Sequence, residues 1–236
     1  AIAMDRRRHP ACDQRRLSQR TVGRVTQFKH RFSQHCSGSV ADGLETHRRN
    51  AFALQSGDGA LLNLAAVNSI NWARILAQTI YYAYAALALG SPARPVTFAV
   101  PTGNFGNVYA GYAAKQMGLP IEKFIVGSNE NDILTRFFET GTMSMKPVVP
   151  TLSPSMDIQI SSNFERLLFD HFDRDGKAVA KALEEFRESQ SIEFGQGRWR
   201  AMQQDFEGFR VSNDETKAAI RSVYEATGEL LDPHSV

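Results

Sequence analysis

A chain of 236 residues, 42% hydrophobic and 22% charged, is long enough to bury a sizeable core in one domain or two, and its composition is that of an ordinary globular protein. Its net charge of +2 neither favours nor excludes a nucleic-acid partner. Its two cysteines make no disulfide framework and point to a reducing, cytoplasmic setting. The longest apolar run, 75–89, contains Gln78, Thr79 and three tyrosines. It falls short of the roughly 18 clean apolar residues of a membrane span, so no membrane partner is expected. No apolar signal segment follows the arginine-rich N-terminus.

Residues 1–59 are a separate material. They hold ten of the 20 arginines, four of the six histidines, both cysteines and one lysine, Lys29. Eleven basic residues against five acidic ones make this stretch +6, and the remainder is −4. Three readings compete: a disordered basic tail, a nucleic-acid-binding arm, or a stretch never selected as protein, such as an out-of-frame translation. Arginine without lysine, no sustained period and no aromatic interleaving favour the first and third over the second. The expectation is a poorly ordered segment that makes few contacts with the rest.

From Ala60 the pattern becomes regular. Residues 61–67 read as a buried strand, and Asn68 or Ser69 can cap the helix that follows. Ile70, Ala73, Leu76/Ala77, Ile80, Ala83/Tyr84 and Leu87 form its expected apolar stripe, ending at Gly90 and Pro92. Asn68, Asn71 and Arg74 share one face of the first two turns. On their own they read as the polar end of a capped surface helix.

Residues 95–118 carry the chemistry. Val96, Phe98 and Val100 alternate with Thr97 and Ala99 as a short buried strand, which Pro101 is expected to stop. Gly103 and Gly106 flank Asn104 and Phe105, Asn107 follows, and a helix is expected from Val108 to a stop at Gly118. Strand, glycine loop and helix N-terminus together bind anions, because free N–H groups and the helix dipole both face the ligand. The loop lacks the Gly-Lys-Ser/Thr ending of a nucleoside-triphosphate loop, and its glycines do not fit G-x-G-x-x-G. It suits a single terminal phosphate, with Gly106 allowing close approach and any positive φ the turn requires.

A second strand at 121–126, a turn at 127–132 and a helix at 133–139 complete a parallel α/β pattern, which places ligands at the carboxyl ends of strands. Residues 140–162 read as a long irregular segment, in which Asp157, Ser161 and Ser162 are expected to cap the next helix. The C-terminal part reads as helical, at 163–172, 177–189, 198–206 and 215–227. Ser212 and Glu215 form a capping box there, and Gly228 is the stop. His234 is a tempting acid–base residue, but its position suggests fraying.

Pro101-Thr-Gly-Asn-Phe-Gly-Asn107 resembles the pyridoxal-phosphate (PLP) phosphate loop of threonine synthase, a fold-type-II PLP enzyme. Three other stretches, at 66–75, 151–166 and 231–235 (Leu-Asp-Pro-His-Ser), resemble segments of the same family in the same order. The resemblance covers about 61–236. It implies an incomplete parallel-sheet α/β core of the tryptophan synthase β-like kind with a helical C-terminal part, and so a division into an unmatched segment 1–59 and a partial domain 60–236. It also implies PLP as cofactor, held by Gly103, Asn104, Phe105, Gly106 and Asn107. The implied substrate, O-phosphohomoserine, would meet Asn68, Ser69, Asn71 and Arg74, and would be converted with water to threonine and phosphate. No residue matches the family's cofactor-binding lysine: Lys115, Lys123 and Lys146 lack its context, and Lys29 shares only a neighbouring phenylalanine. The alternative is a non-catalytic protein of the same lineage that binds PLP or phosphate.

Overall fold

The computed structural model describes Ile2–Met4 and residues 71–236. It begins with the edge strand β1 (Ile2–Met4), helix α1 (Trp72–Ala88), strand β2 (Val96–Pro101), helix α2 (Gly106–Gln116), strand β3 (Ile121–Ser128) and helix α3 (Ile133–Thr140). Strand β4 (Thr142–Ser144), a 3-10 turn at Pro154–Met156, and helices α4 (Phe164–His171) and α5 (Gly176–Ser189) follow. The last elements are strand β5 (Ser191–Glu193), helix α6 (Gln196–Asp205), strand β6 (Phe206–Arg210) and helix α7 (Asn213–Thr227). Apart from Ile2–Met4, the arginine-rich segment lies outside the described residues, as do the strand expected at 61–67 and the caps Asn68 and Ser69.

The main sheet has the order β1-β2-β3-β6. Strands β2, β3 and β6 are parallel, and β1 adds an antiparallel edge, pairing Ile2 with Ala99. This is the expected α/β class. Pro101 does not stop the ladder. It pairs with Gly127, and the Thr102 N–H then donates to the Gly127 carbonyl at 2.8 Å. A proline costs a strand only the bond its missing N–H would have made.

Four strands escaped the sequence reading: β1, in a segment expected to make few contacts, β4, in a stretch read as irregular, β5 and β6. Phe206 was expected to end a helix. Instead α6 closes at Asp205, and Phe206 opens β6 beside Phe124 of β3. β6 is short, and parallel strands distant in sequence leave no local signal of their pairing. The three-residue β4 and β5, which pair antiparallel with each other, were missed because strands this short and about 50 positions apart leave no periodic pattern.

The packed face of α1 also differs from the expected stripe. Ile75, Thr79, Tyr82 and Ala86 are buried, while Leu76, Ile80, Tyr84 and Leu87 are exposed. The helix is apolar nearly all round, so periodicity does not choose a face. Gly111 of α2 chooses it: a Cβ there would lie 2.6 Å from the Tyr82 and Phe124 rings, so only glycine lets α1 and β3 meet at this point.

The core is aromatic. Phe206 lies between Phe124 and Phe138, with ring centroids at 5.6 and 5.5 Å. Phe105 meets Phe164 edge-on at 5.2 Å and Phe206 at 5.6 Å. Burying such a ring contributes roughly 1.5–3 kcal/mol. The residue at the tip of the glycine loop is therefore anchored in the core. Among the described residues no helix is long and apolar enough to cross a membrane, and no cluster of side chains has the makings of a metal site.

Candidate functional site

The loop after β2 sits at the carboxyl end of the parallel strands, as expected. Helix α2 starts at Gly106, two residues earlier than its apolar pattern indicates. The left-handed residue of the turn is Phe105, with φ 62° and 1% exposure, and neither Gly103 nor Gly106 has positive φ. The expected use of Gly106 for a positive φ is thus corrected. A bulky left-handed residue costs roughly 1–2 kcal/mol, which the burial of its ring offsets. A left-handed residue next to right-handed ones brings successive N–H groups into a concave, anion-accepting arrangement.

The two sides of the loop backbone are unequally satisfied. The Gly103 carbonyl accepts from Ser161 Oγ at 2.5 Å. The Asn104 carbonyl accepts from the N–H and from Nδ2 of Asn163, both at 3.1 Å. The Phe105 carbonyl accepts from the Tyr109 N–H at 2.9 Å. In contrast, no described residue accepts a hydrogen bond from the N–H groups of 103–107. The first turn of α2 carries no acidic residue to compete for them. Tyr82 steadies the helix start from the other side, its hydroxyl donating to the Asn107 carbonyl at 2.8 Å and lying 3.1 Å from Asn107 Oδ1.

The segment that holds the carbonyls is built from a polar cluster. Asp157 accepts from Thr151 Oγ1 at 2.6 Å, the Thr151 N–H at 2.8 Å, Asn129 Nδ2 at 2.7 Å and Asn131 Nδ2 at 3.0 Å. Asn129 and Asn131 are buried at the end of β3, so Asp157 ties 151–157 to the sheet. Neither Asp157 nor Ser161 and Ser162 cap α4 as expected. Asn163 stands at its N-cap, without a side-chain cap bond. Ser161 and Asn163 turn to the partly buried Gly103 and Asn104 carbonyls instead, and Ser162 Oγ lies 3.5 Å from Asn104 Oδ1.

Further residues bear on the site. His234 is not frayed: its Nδ1 bonds Asp232 at 2.8 Å, and its Nε2 accepts from the Ser155 N–H at 3.3 Å. Arg74 is half-buried in the first turn of α1, about 12 Å along the axis from Tyr82. Asn71 is exposed. Lys115 pairs with Asp205 at 2.5 Å, Lys123 with Glu207 at 3.7 Å, and the exposed Lys146 lies 3.9 Å from Asp132. Sequence reasoning missed Ser155 and Asn163. The run of hydroxyl and amide residues at 151–163 was the available signal.

This arrangement, a parallel sheet with an N–H-lined loop at its carboxyl edge, has the fold of the fold-type-II class. Within that class the chain is related to the threonine synthases. It is 53% identical over 172 residues to the threonine synthase of Pseudomonas aeruginosa and 44% identical over 190 residues to that of Saccharomyces cerevisiae. In both cases the match takes in 73% of this chain. The crystal structure of PLP-bound threonine synthase from Brucella melitensis superposes with a TM-score of 0.75 at 49% identity, covering 82% of this chain and 42% of that one. No family model matches the chain. The chain spans 37% of the length of each of the two relatives.

Proposed function

We propose that this chain carries the cofactor-phosphate part of a cytoplasmic, PLP-dependent threonine synthase, a lyase that converts O-phosphohomoserine and water to threonine and phosphate. The observation that carries the reading is the loop at 103–107: its Gly103 and Asn104 carbonyls are taken by Ser161 and Asn163, while its N–H groups have no described acceptor. That donor set fits a terminal phosphate. PLP, when bound, supplies the electron sink of the reaction. Gly103, Asn104, Phe105, Gly106 and Asn107 hold its phosphate, and Tyr82 and Ser161 keep the loop in shape. Such binding positions the cofactor and does not by itself raise turnover.

Substrate contacts by Asn68, Ser69, Asn71 and Arg74 belong to the same proposal and rest on the motif alone. The lysine that would move protons is not among Lys115, Lys123 and Lys146, which lack the sequence context of the family's cofactor lysine. The similarity to threonine synthases supports the catalytic lineage, and nothing specific favours the non-catalytic alternative.

The test is titration of the chain with PLP and with inorganic phosphate. Binding is expected for the wild type, modestly weaker for Asn104→Ala and abolished for Gly106→Val. Equal binding by wild type and Gly106→Val overturns the assignment of the loop.

A further inference from the structure

We infer that His234 is a positioning residue for the loop, acting as a latch on the Ser155 turn; its functional sense rests on the phosphate reading of 103–107. The contacts form one continuous line. Nδ1 of His234 bonds Asp232 Oδ1 at 2.8 Å, and with the carboxylate accepting, the proton sits on Nδ1. That leaves the Nε2 lone pair for the Ser155 N–H at 3.3 Å. The His234 N–H also donates to Asp232 Oδ1 at 2.8 Å, so the backbone and the ring of His234 are fixed by one carboxylate oxygen.

Ser155 lies directly behind the loop. A Cβ placed on Gly103 would sit 3.0 Å from the Ser155 carbonyl, 3.3 Å from Met156 Cα and 3.4 Å from Ile158 Cδ1. The 155–158 backbone is therefore the wall against which Gly103 is seated, and glycine is the residue that lets the wall come this close. Asp157 ties one end of the turn to β3 through Asn129 and Asn131. On the other side Asn129 Nδ2 holds Ser153, and the Ser155 N–H at the tip of the turn is held by His234, which arrives from 79 positions further along the chain. A wall pinned at both ends keeps Gly103 and the neighbouring N–H groups in place for an anion. Without His234 the tip at Ser155, between the tethers at Ser153 and Asp157, can retreat.

The experiment compares wild type, His234→Ala and His234→Gln. Glutamine offers an amide oxygen near the position of Nε2, so it can accept from Ser155, and alanine cannot. Inorganic phosphate and PLP are titrated separately into each protein. Backbone amide exchange is then followed by NMR in the absence of ligand. His234→Ala is expected to weaken binding of both probes about twofold to tenfold, the range of one net hydrogen bond. Exchange is expected to quicken at Ser155, Met156 and Asn163, whose N–H groups bond His234, the Ser153 carbonyl and the Asn104 carbonyl, while Val100 and Val126 keep their protection. His234→Gln is expected to restore both measures.

A uniform loss of protection, Val100 and Val126 included, would mean general destabilisation and overturns the latch. So does unchanged binding with unchanged exchange at Ser155 and Met156. Failure of the wild type to bind either probe overturns the phosphate reading instead. The unliganded exchange pattern still decides the latch in that case, because it is read without an anion.

Discussion

Ser161 Oγ donates to the carbonyl of Gly103 at 2.5 Å across 58 positions of sequence. The bond turns one face of the loop backbone inward, toward the segment that closes over the sheet. Ser161→Ala would leave that carbonyl without a partner in a partly buried place. The variant is expected to lose about 0.5–1.5 kcal/mol of stability and to bind PLP or phosphate several-fold more weakly. Denaturant unfolding and ligand titration on the same preparation check both.

Phe105 allows an unusual comparison. Its ring is buried in the core, yet its φ of 62° is costly for any residue but glycine. Phe105→Ala is expected to lose about 3–5 kcal/mol for the vacated space. Phe105→Gly removes as much packing but relieves the backbone, and is expected to be about 1 kcal/mol less damaging than alanine. At an ordinary helix position the order is reversed, so the sign of the difference, read by chemical denaturation, checks the left-handed assignment.

Gly111 seats α1 on α2. Gly111→Ala places a methyl group 2.6 Å from the Tyr82 and Phe124 rings, which must then move. The expected loss is about 1–3 kcal/mol. A near-ultraviolet circular dichroism change from the displaced tyrosine should accompany it.

His171 gives a pH dependence. Burial lowers its pKa from the ordinary 6.5, against the opposing pull of Asp205 and Asp170, and no described residue bonds its buried Nε2. The folded form thus binds the proton less readily than the unfolded form. Stability is full above the unfolded value and is lost as the pH falls through it toward the depressed folded value. Unfolding free energy measured across about pH 5 to 7 is expected to rise with pH, and His171→Gln should flatten that slope.

The 236-residue polypeptide by itself is expected not to release phosphate from O-phosphohomoserine in the presence of PLP. Lys115, Lys123 and Lys146 lack the sequence context of the family's cofactor lysine, and each faces a carboxylate, Asp205, Glu207 and Asp132 respectively. General acid–base assistance is typically worth about 10²–10⁴-fold. A phosphate-release assay, with borohydride trapping and peptide mapping, checks this. Release above background with PLP fixed to one lysine would contradict it and identify that lysine.

Local chemistry alone determined a good part of this protein. Alternation marked β2, a short run at 121–126 marked β3, the capping box Ser212–Glu215 and the left-handed Gly228 bounded α7, and the glycine loop stood where a strand runs into a helix. These features depend on neighbours a few positions apart, and those neighbours are adjacent in the sequence too. Tertiary structure decided the rest. It chose the Ile75–Tyr82 face of an evenly apolar helix through the close approach at Gly111, and drew Phe206 out of a helical pattern into the sheet. It also assigned the left-handed turn to Phe105, and turned Ser161 from an expected cap, Asn163 from an expected helix residue and His234 from an expected frayed end into supports of the loop and of the turn behind it. Each of these depends on a partner far along the chain. A buried carbonyl takes whichever donor the fold brings to it, and no local pattern names that donor in advance.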